Sequence, residues 1–308
     1  MSRTRIVITT SSFAQDDPSP LEVMKERGFD IRTNPHGRKL TRPETVELCS
    51  GCTGIIAGTE IYDREVLEKL EAVKVISRCG TGIDAIDVPV LRRLGIKLFN
   101  TPDGPTLAVA ELTIGLMLSL LRAIPLMDRE THQGGWQKRM GNLLTDKNVG
   151  IIGFGRIGSK VADLLAPFNC TITWYDVDQD MHTECAHLRC RELDELLKTS
   201  DIVTIHVSRA AGGFLIGEKE LRKMKQGAWL INAARGEAVD EEALYRAIER
   251  GHLNGAGLDA FQREPYEGPL KNLPQVILTP HIGSYARESR IEMEMQAVRN
   301  LLEGLGTE

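Results

Sequence analysis

The sequence has no long hydrophobic run. Its longest strongly apolar stretch, Leu112 to Leu121, is ten residues bounded by Glu111 and Arg122. Crossing a bilayer takes about 20 apolar residues, so this stretch predicts a buried helix and no membrane partner. No secretory leader is expected either. Met1 to Arg5 lead into only five strand-like residues, Ile6 to Thr10, too short for a signal peptide. Positive charge is not in excess: 38 Lys and Arg against 43 Asp and Glu leave a net charge of −5. That balance argues against nucleic acid as a partner. With no leader expected, the six cysteines read as reduced thiols of a cytoplasmic protein. No internal repeat or low-complexity tract is visible. What remains is 308 residues, 42% hydrophobic and 26% charged. At about 150 residues per domain this is enough for two globular domains.

Short apolar runs alternate with helical periodicity. Ile6 to Thr10, Gly54 to Ala57 and Val73 to Ser77 read as buried strands, with helices predicted over Pro20 to Gly28 and Asp63 to Glu71. A long apolar helix is expected over Thr106 to Ile124, stopped by Pro125. Further strands are expected at Val149 to Ile152, Thr171 to Tyr175, Asp201 to His206, Ala228 to Asn232, Gly255 to Asp259 and Gln275 to Leu278. Asp240 to Gly251 and Tyr285 to Leu305 read as amphipathic helices. The alternation predicts α/β architecture with parallel sheets, and six strands is the count of a dinucleotide-binding fold.

The strand ending at Ile152 runs into Gly153-Phe154-Gly155-Arg156-Ile157-Gly158, followed by helical periodicity. Glycines at this spacing between strand and helix suit a tight turn, a close approach to a pyrophosphate, and close helix–strand packing. The helix N-terminus then offers N–H groups to the phosphates. Asp176 closes the next strand, 18 residues after Gly158, where a carboxylate can bond both hydroxyls of the adenosine ribose. It would repel a 2′-phosphate, so NAD is expected over NADP.

Three more segments end strands, where such folds keep their chemistry. They are Asn232-Ala233-Ala234-Arg235-Gly236, Leu258-Asp259-Ala260-Phe261-Gln262-Arg263-Glu264-Pro265, and Thr279-Pro280-His281-Ile282-Gly283-Ser284. Arg235 can fork onto a carboxylate. His281 is the natural proton donor and acceptor near neutral pH, and Glu264 would favour its imidazolium. Each residue alone also reads as an ordinary surface group.

With Ser77-Arg78-Cys79-Gly80-Thr81-Gly82-Ile83-Asp84, Asn100-Thr101-Pro102 and Val109-Ala110-Glu111, these segments resemble the D-isomer-specific 2-hydroxyacid dehydrogenases, most closely the D-3-phosphoglycerate dehydrogenase branch. The resemblance covers nearly the whole chain. It implies two doubly wound parallel-sheet domains: a flavodoxin-like substrate domain (1–100 and 285–308) and a Rossmann NAD-binding domain (101–284), with a cleft that closes on the substrate. It implies a homodimer formed through the long helix and the segment after it. It assigns His281 as proton donor to the keto oxygen, Glu264 as its partner and Arg235 as the substrate-carboxylate ligand. Cofactor contacts would include Gly153, Gly155, Arg156, Ile157, Gly158, Asp176, His206, Ala233 and Gly283, with Asp259 on the nicotinamide amide. N–H groups around Cys79, Gly80 and Thr81 would complete the carboxylate site. Arg78 would face a distal phosphate, and Lys138 would reach a neighbouring subunit's substrate. A solvated basic pair reads the same for Lys138-Arg139.

The expected substrate is a small 2-hydroxy or 2-keto acid, 3-phosphoglycerate foremost, with hydroxypyruvate, glyoxylate, sulfonated and aromatic acids as alternatives. The similar NAD-responsive C-terminal-binding corepressors keep the same trio, so a binding protein is a second class; Glu264 disfavours a formate dehydrogenase. The family's usual His-x-Pro-Leu-Thr is replaced here by His206-Val207-Ser208-Arg209-Ala210, and Arg209 could attract a 2′-phosphate. The chain stops at Glu308, so serine control through an appended regulatory domain is not expected. Cys49-x-x-Cys52 and the cluster His182, Cys185, His187, Cys190 read as ordinary thiols and histidines, with no metal expected. Cys79 is expected to be sensitive to thiol reagents.

Overall fold

The structure, a computed structural model, describes residues 4–178, 189–208 and 214–307. The chain divides into two compact units: residues up to Pro105 with those from Ser284 onward, and Thr106–Gly283. The divisions fall a few residues from the expected 100/101 and on the residue next to the expected 284/285.

The first unit contains β1 (Arg5–Ile8), α1 (Ser19–Glu26), β2 (Asp30–Thr33), α2 (Arg42–Cys49), β3 (Gly54–Ala57), α3 (Arg64–Leu67), β4 (Val75–Arg78), α4 (Val88–Leu94) and β5 (Lys97–Asn100). Its five strands are all parallel in the order β2-β1-β3-β4-β5. The order reverses between β1 and β3, as in flavodoxin-like sheets. β2 and β5 are edge strands with polar, half-exposed sequences, Asp-Ile-Arg-Thr and Lys-Leu-Phe-Asn, which hydrophobic patterning does not reveal. The helix expected over Asp63 to Glu71 is the single turn α3, started by Asp63, whose Oδ1 accepts the Val66 N–H at 3.2 Å.

α5 (Gly104–Leu121) and α6 (Ile124–His132) follow. Pro125 does not end the long helix. Ala123 turns left-handed at φ +49°, and Pro125 then sits in the first turn of α6, where its missing N–H costs nothing. At 18 residues α5 is long and apolar enough to cross a bilayer. Its Ala110, Leu116, Met117 and Leu121 are instead buried with Val149 and Ile151 of the second sheet.

The second unit continues with β6 (Asn148–Ile152), α7 (Arg156–Leu165), β7 (Thr171–Tyr175), β8 (Arg189–Cys190), α8 (Leu193–Thr199), β9 (Ile202–Ile205), α9 (Glu218–Lys223), β10 (Ala228–Asn232), α10 (Glu241–Glu249), β11 (Leu253–Leu258) and β12 (Val276–Leu278). The seven parallel strands run β12-β11-β10-β9-β6-β7-β8. That is one more than the expected six; the addition is the two-residue edge strand β8. Successive strand residues serve opposite faces: Ile202 and Ile231 join the layer with α5 and α7, while Val203 and Leu230 join the layer with α8 to α10.

The last helix, α11 (Arg287–Leu305), packs in the first unit. Met293, Ala297, Val298, Leu301 and Leu302 cover Ile6, Ile8, Ile56 and Val75. Each such fully buried side chain contributes about 1.5–3 kcal/mol.

Candidate active site

The order of the second sheet reverses between β6 and β9, and the glycine fingerprint sits in that crevice. Gly153 has φ +87°, and a Cβ there would lie 2.7 Å from the His206 carbonyl. A Cβ on Gly158 would lie 2.1 Å from the Gly153 carbonyl oxygen, so α7 rests directly on the turn. Nothing lies within 4 Å of a Cβ built on Gly155, which leaves its backbone open to an approaching phosphate. No side chain caps α7. Arg156 is exposed and Ile157 half-buried on that first turn.

At the end of β7, Asp176 Oδ2 accepts the Phe154 N–H at 2.7 Å and Oδ1 the Asp178 N–H at 3.1 Å. These bonds fix the carboxylate beside the glycine turn. His206 is buried behind it: Nε2 lies 2.9 Å from Thr204 Oγ1, and Nδ1 is a buried atom without a partner among the described residues. Burial pushes its imidazole down to about 3, so the ring is neutral. An open glycine cradle, an uncapped helix, a fixed carboxylate and an unpartnered buried ring nitrogen fit a dinucleotide. The Arg209 expectation lies outside the described residues.

Arg235 follows β10, after the half-buried Ala233. Buried Asn232 braces that turn: Nδ2 donates to the Arg235 carbonyl at 2.8 Å, and Oδ1 accepts the Ala234 N–H at 3.1 Å. Gly236 lets the turn press on the segment after β11, since a Cβ would come within 1.8 Å of the Phe261 carbonyl carbon. That segment carries Glu264, whose Oε1 accepts the Phe261 N–H at 3.2 Å.

His281 Nδ1 lies 2.8 Å from Glu264 Oε1 and 3.1 Å from Oε2. A carboxylate only accepts, so Nδ1 carries the proton and Nε2 is left for other work. The Glu264 hydrogen bond and charge, with Asp259 behind them, hold His281 above the ordinary imidazole range against burial and the Arg235 charge. The structure thus brings Arg235, Glu264 and His281 together within the second unit.

Asp259 braces the histidine loop from within. It is 1% exposed; Oδ1 accepts Thr279 Oγ1 at 2.6 Å and the Ile282 N–H at 2.8 Å, and Oδ2 accepts the Gly283 N–H at 2.7 Å. Three of about four acceptor positions are therefore spent on the loop that carries His281. His281 itself sits at φ +55°, a strained conformation for a side-chain-bearing residue, held on both sides by this carboxylate. Sequence gives Thr279 and Ile282 no role of their own within this segment; the hydroxyl of Thr279, two residues before the histidine, is the available signal.

In the first unit, two of the three N–H groups expected for a substrate carboxylate are engaged within the chain. Cys79 N–H donates to the Ala57 carbonyl at 3.0 Å and Gly80 N–H to Thr101 Oγ1 at 2.7 Å. The Thr81 N–H has no acceptor among the described residues. Arg78 folds back over Gly80 and donates to the Cys79 carbonyl. Gly80 has φ +138°, and a Cβ there would lie 2.6 Å from Arg78 Nη1. The Cys79 thiol is buried against α11 and pushed up to about 11, which opposes the expected sensitivity to thiol reagents.

Lys138 is exposed, while Arg139 pairs with Glu130 at 2.6 Å. Cys49 and Cys52 are free and buried in the first core; His182, Cys185 and His187 lie outside the described residues.

Comparison with known proteins adds independent findings. Residues 114–283 match the family described as D-isomer specific 2-hydroxyacid dehydrogenase, NAD binding domain. A glyoxylate reductase of Thermofilum pendens is 41% identical over 255 residues, 79% of this chain and 75% of that protein. A D-3-phosphoglycerate dehydrogenase of Archaeoglobus fulgidus is 34% identical over 92% of this chain, which spans only 55% of its length. The crystal structure of the TT0316 protein of Thermus thermophilus superposes with a TM-score of 0.91 at 33% identity, covering 98% of this chain and 97% of that one. The chain belongs to the D-isomer specific 2-hydroxyacid dehydrogenases, and its second unit carries their NAD-binding domain.

Proposed function

We propose that this NAD-dependent oxidoreductase reduces a small 2-keto acid to the D-2-hydroxy acid through Arg235, Glu264 and His281. NADH, when bound, supplies the hydride that C2 receives. His281 Nε2 protonates the keto oxygen, and in the reverse direction takes the proton from the hydroxyl. Glu264 fixes the ring through Nδ1 and stabilises the charged form. Arg235 forks onto the substrate carboxylate and draws electron density from the neighbouring carbonyl. The single observation carrying this reading is the 2.8 Å His281–Glu264 bond, with the Arg235 charge acting on the same imidazole.

The finer choice of acid favours an unphosphorylated one, of the glyoxylate and hydroxypyruvate type. Arg78, the first unit's candidate for a phosphate, is engaged with the backbone of its own loop. A 3-phosphoglycerate dehydrogenase is the second reading, favoured by the exposed Lys138. We also propose a homodimer through α5, α6 and the segment after them, where Trp136 is 85% exposed and Met140 100%. Free cysteines suit the reducing cytoplasm.

The test follows NADH oxidation with glyoxylate, hydroxypyruvate and 3-phosphohydroxypyruvate. His281→Ala and Arg235→Ala should each lose turnover by about 10² or more while NADH still binds. Near-normal turnover in either variant rejects the assignment. NADH binding with no turnover on any acid would favour an NAD-responsive binding protein.

A further inference from the structure

Arg235 and Glu264 come from different parts of the second unit, the turn after β10 and the segment after β11. The stretch from Gly236 to Glu241 joins them. Gly236 presses on the Phe261–Gln262 peptide: a Cβ on it would lie 1.8 Å from the Phe261 carbonyl carbon and 2.3 Å from the Gln262 nitrogen. Further along, Glu241 Oε1 accepts the N–H of that same peptide at 2.7 Å. Between these two contacts, the Val239 carbonyl accepts Gln262 Nε2 at 2.9 Å. The stretch is itself anchored. The Ile216 N–H donates to the Ala238 carbonyl at 2.9 Å and the Asp240 N–H to the Ile216 carbonyl at 3.0 Å, with Ile216 fully buried.

Glu241 is not needed to start its helix. Asp240 Oδ1 caps α10 by accepting the Ala243 N–H at 3.0 Å, and Glu242 supplies another first-turn charge. Glu241 is half-buried, and no cation pairs with it among the described residues. Burial holds its carboxyl above the ordinary range against the Gln262 bond, and the charges of Glu242, Asp240 and Glu237 add to the rise. Keeping a carboxylate charged in such a place costs stability. Proteins keep local conflicts of this kind where function needs them. Here the carboxylate grips one peptide, and the same segment carries Glu264. Glu264 Oε1 turns back to accept the Phe261 N–H at 3.2 Å. Glu264 thus takes its position from Phe261, one side of the peptide that Glu241 grips.

We propose that Glu241, with Gln262, is a positioning residue of this oxidoreductase: through the Phe261–Gln262 peptide it sets Glu264 against His281 and in register with Arg235. It touches no reacting group itself. The inference rests on the dehydrogenase reading above, and one arm of its experiment needs no substrate, so the two can fail separately.

Glu241→Ala removes the acceptor. Glu241→Gln removes the charge but keeps an oxygen for the Gln262 N–H. With NADH and glyoxylate or hydroxypyruvate, Glu241→Ala should lower kcat about tenfold and change KM less than about twofold, since a misplacement near 1 Å at the chemistry costs about 10² and this one is passed through a loop. Glu241→Gln, whose neutral bond is roughly half as strong, should stay within about threefold of wild type. The His281 imidazole is titrated separately by heteronuclear NMR without substrate, its signal assigned by its loss in His281→Ala. Glu264, Asp259 and Arg235 all act on that ring. Its titration should move to lower pH in Glu241→Ala and stay in place in Glu241→Gln, which separates lost positioning from lost charge. If Glu241→Ala does not fold, Gln262→Ala, which cuts the bond to Val239, should show the same two changes in smaller measure. A folded Glu241→Ala or Gln262→Ala that melts lower but keeps the wild-type kcat and His281 titration overturns the proposal, as do equal changes in the Ala and Gln variants of Glu241. Failure of the wild type to oxidise NADH with either acid overturns the dehydrogenase reading, while the titration still decides whether Glu241 positions the pair.

Discussion

Replacing Asp259 by Asn tests how the histidine loop is held. The carboxylate accepts three bonds, from Thr279 Oγ1, Ile282 N–H and Gly283 N–H, in a site 1% exposed. An amide has one accepting oxygen. If it stays with Thr279 and Ile282, its NH2 faces the Gly283 N–H, donor against donor. A bond to a charged group contributes about 1.5–3 kcal/mol, and an orphaned buried N–H costs about 1–3 kcal/mol. A net destabilisation of about 3 kcal/mol is expected, which lowers the melting temperature of a unit this size by roughly 6–12 °C. The loop is then free to carry His281 away from the reacting position, and a displacement near 1 Å costs about 10² in turnover. Asp259 also helps hold His281 above the ordinary imidazole range. Reduction needs the protonated ring, so its rate falls as pH rises through the raised value, and in Asp259→Asn that fall should come at lower pH. Calorimetry and a pH profile of kcat/KM read the two effects separately. An unchanged melt together with an unchanged profile would refute the clamp.

Glu264→Gln removes the largest influence raising His281, so the loss of reductase activity with pH should move to lower pH and rates at pH 7 should fall; a pH profile that superposes on wild type counts against the dyad. By linkage, the His281–Glu264 contact contributes stability that is full below the unfolded imidazole value and fades as pH rises through the raised folded one, so the melting difference between Glu264→Gln and wild type should shrink toward alkaline pH. Iodoacetamide at pH 7 should label exposed Cys190 well before buried Cys79, read by peptide mass; faster labelling of Cys79 would contradict its burial. Trp136→Glu should shift sedimentation from dimer to monomer; an unchanged boundary removes α5, α6 and the segment after them as the interface.

What sequence could reveal follows from how local each signal is. β6, Gly153 to Gly158 and Asp176 are legible because a buried β-branched strand, a glycine turn and a strand-ending acid each leave a mark within a few residues. The polar edge strands β2 and β5 and the two-residue β8 leave none, because an edge strand hides only part of its surface. The site divides the same way. Residue types and spacing single out Arg235, Glu264 and His281, but hydrogen-bond partners are decided by the fold. Nothing local in the sequence shows that the loop returns three donors to Asp259. The N–H groups of Cys79 and Gly80 look available until Ala57 and Thr101 are found against them. Elsewhere in the first unit, Arg290 and Glu294, four apart on α11, look like an ordinary exposed pair until the β1 loop and Tyr285 close over them. In each case the missing knowledge is where one donor or acceptor is spent. That is a property of long-range contacts, 278 residues apart for Ser12 and Arg290, which no local pattern carries.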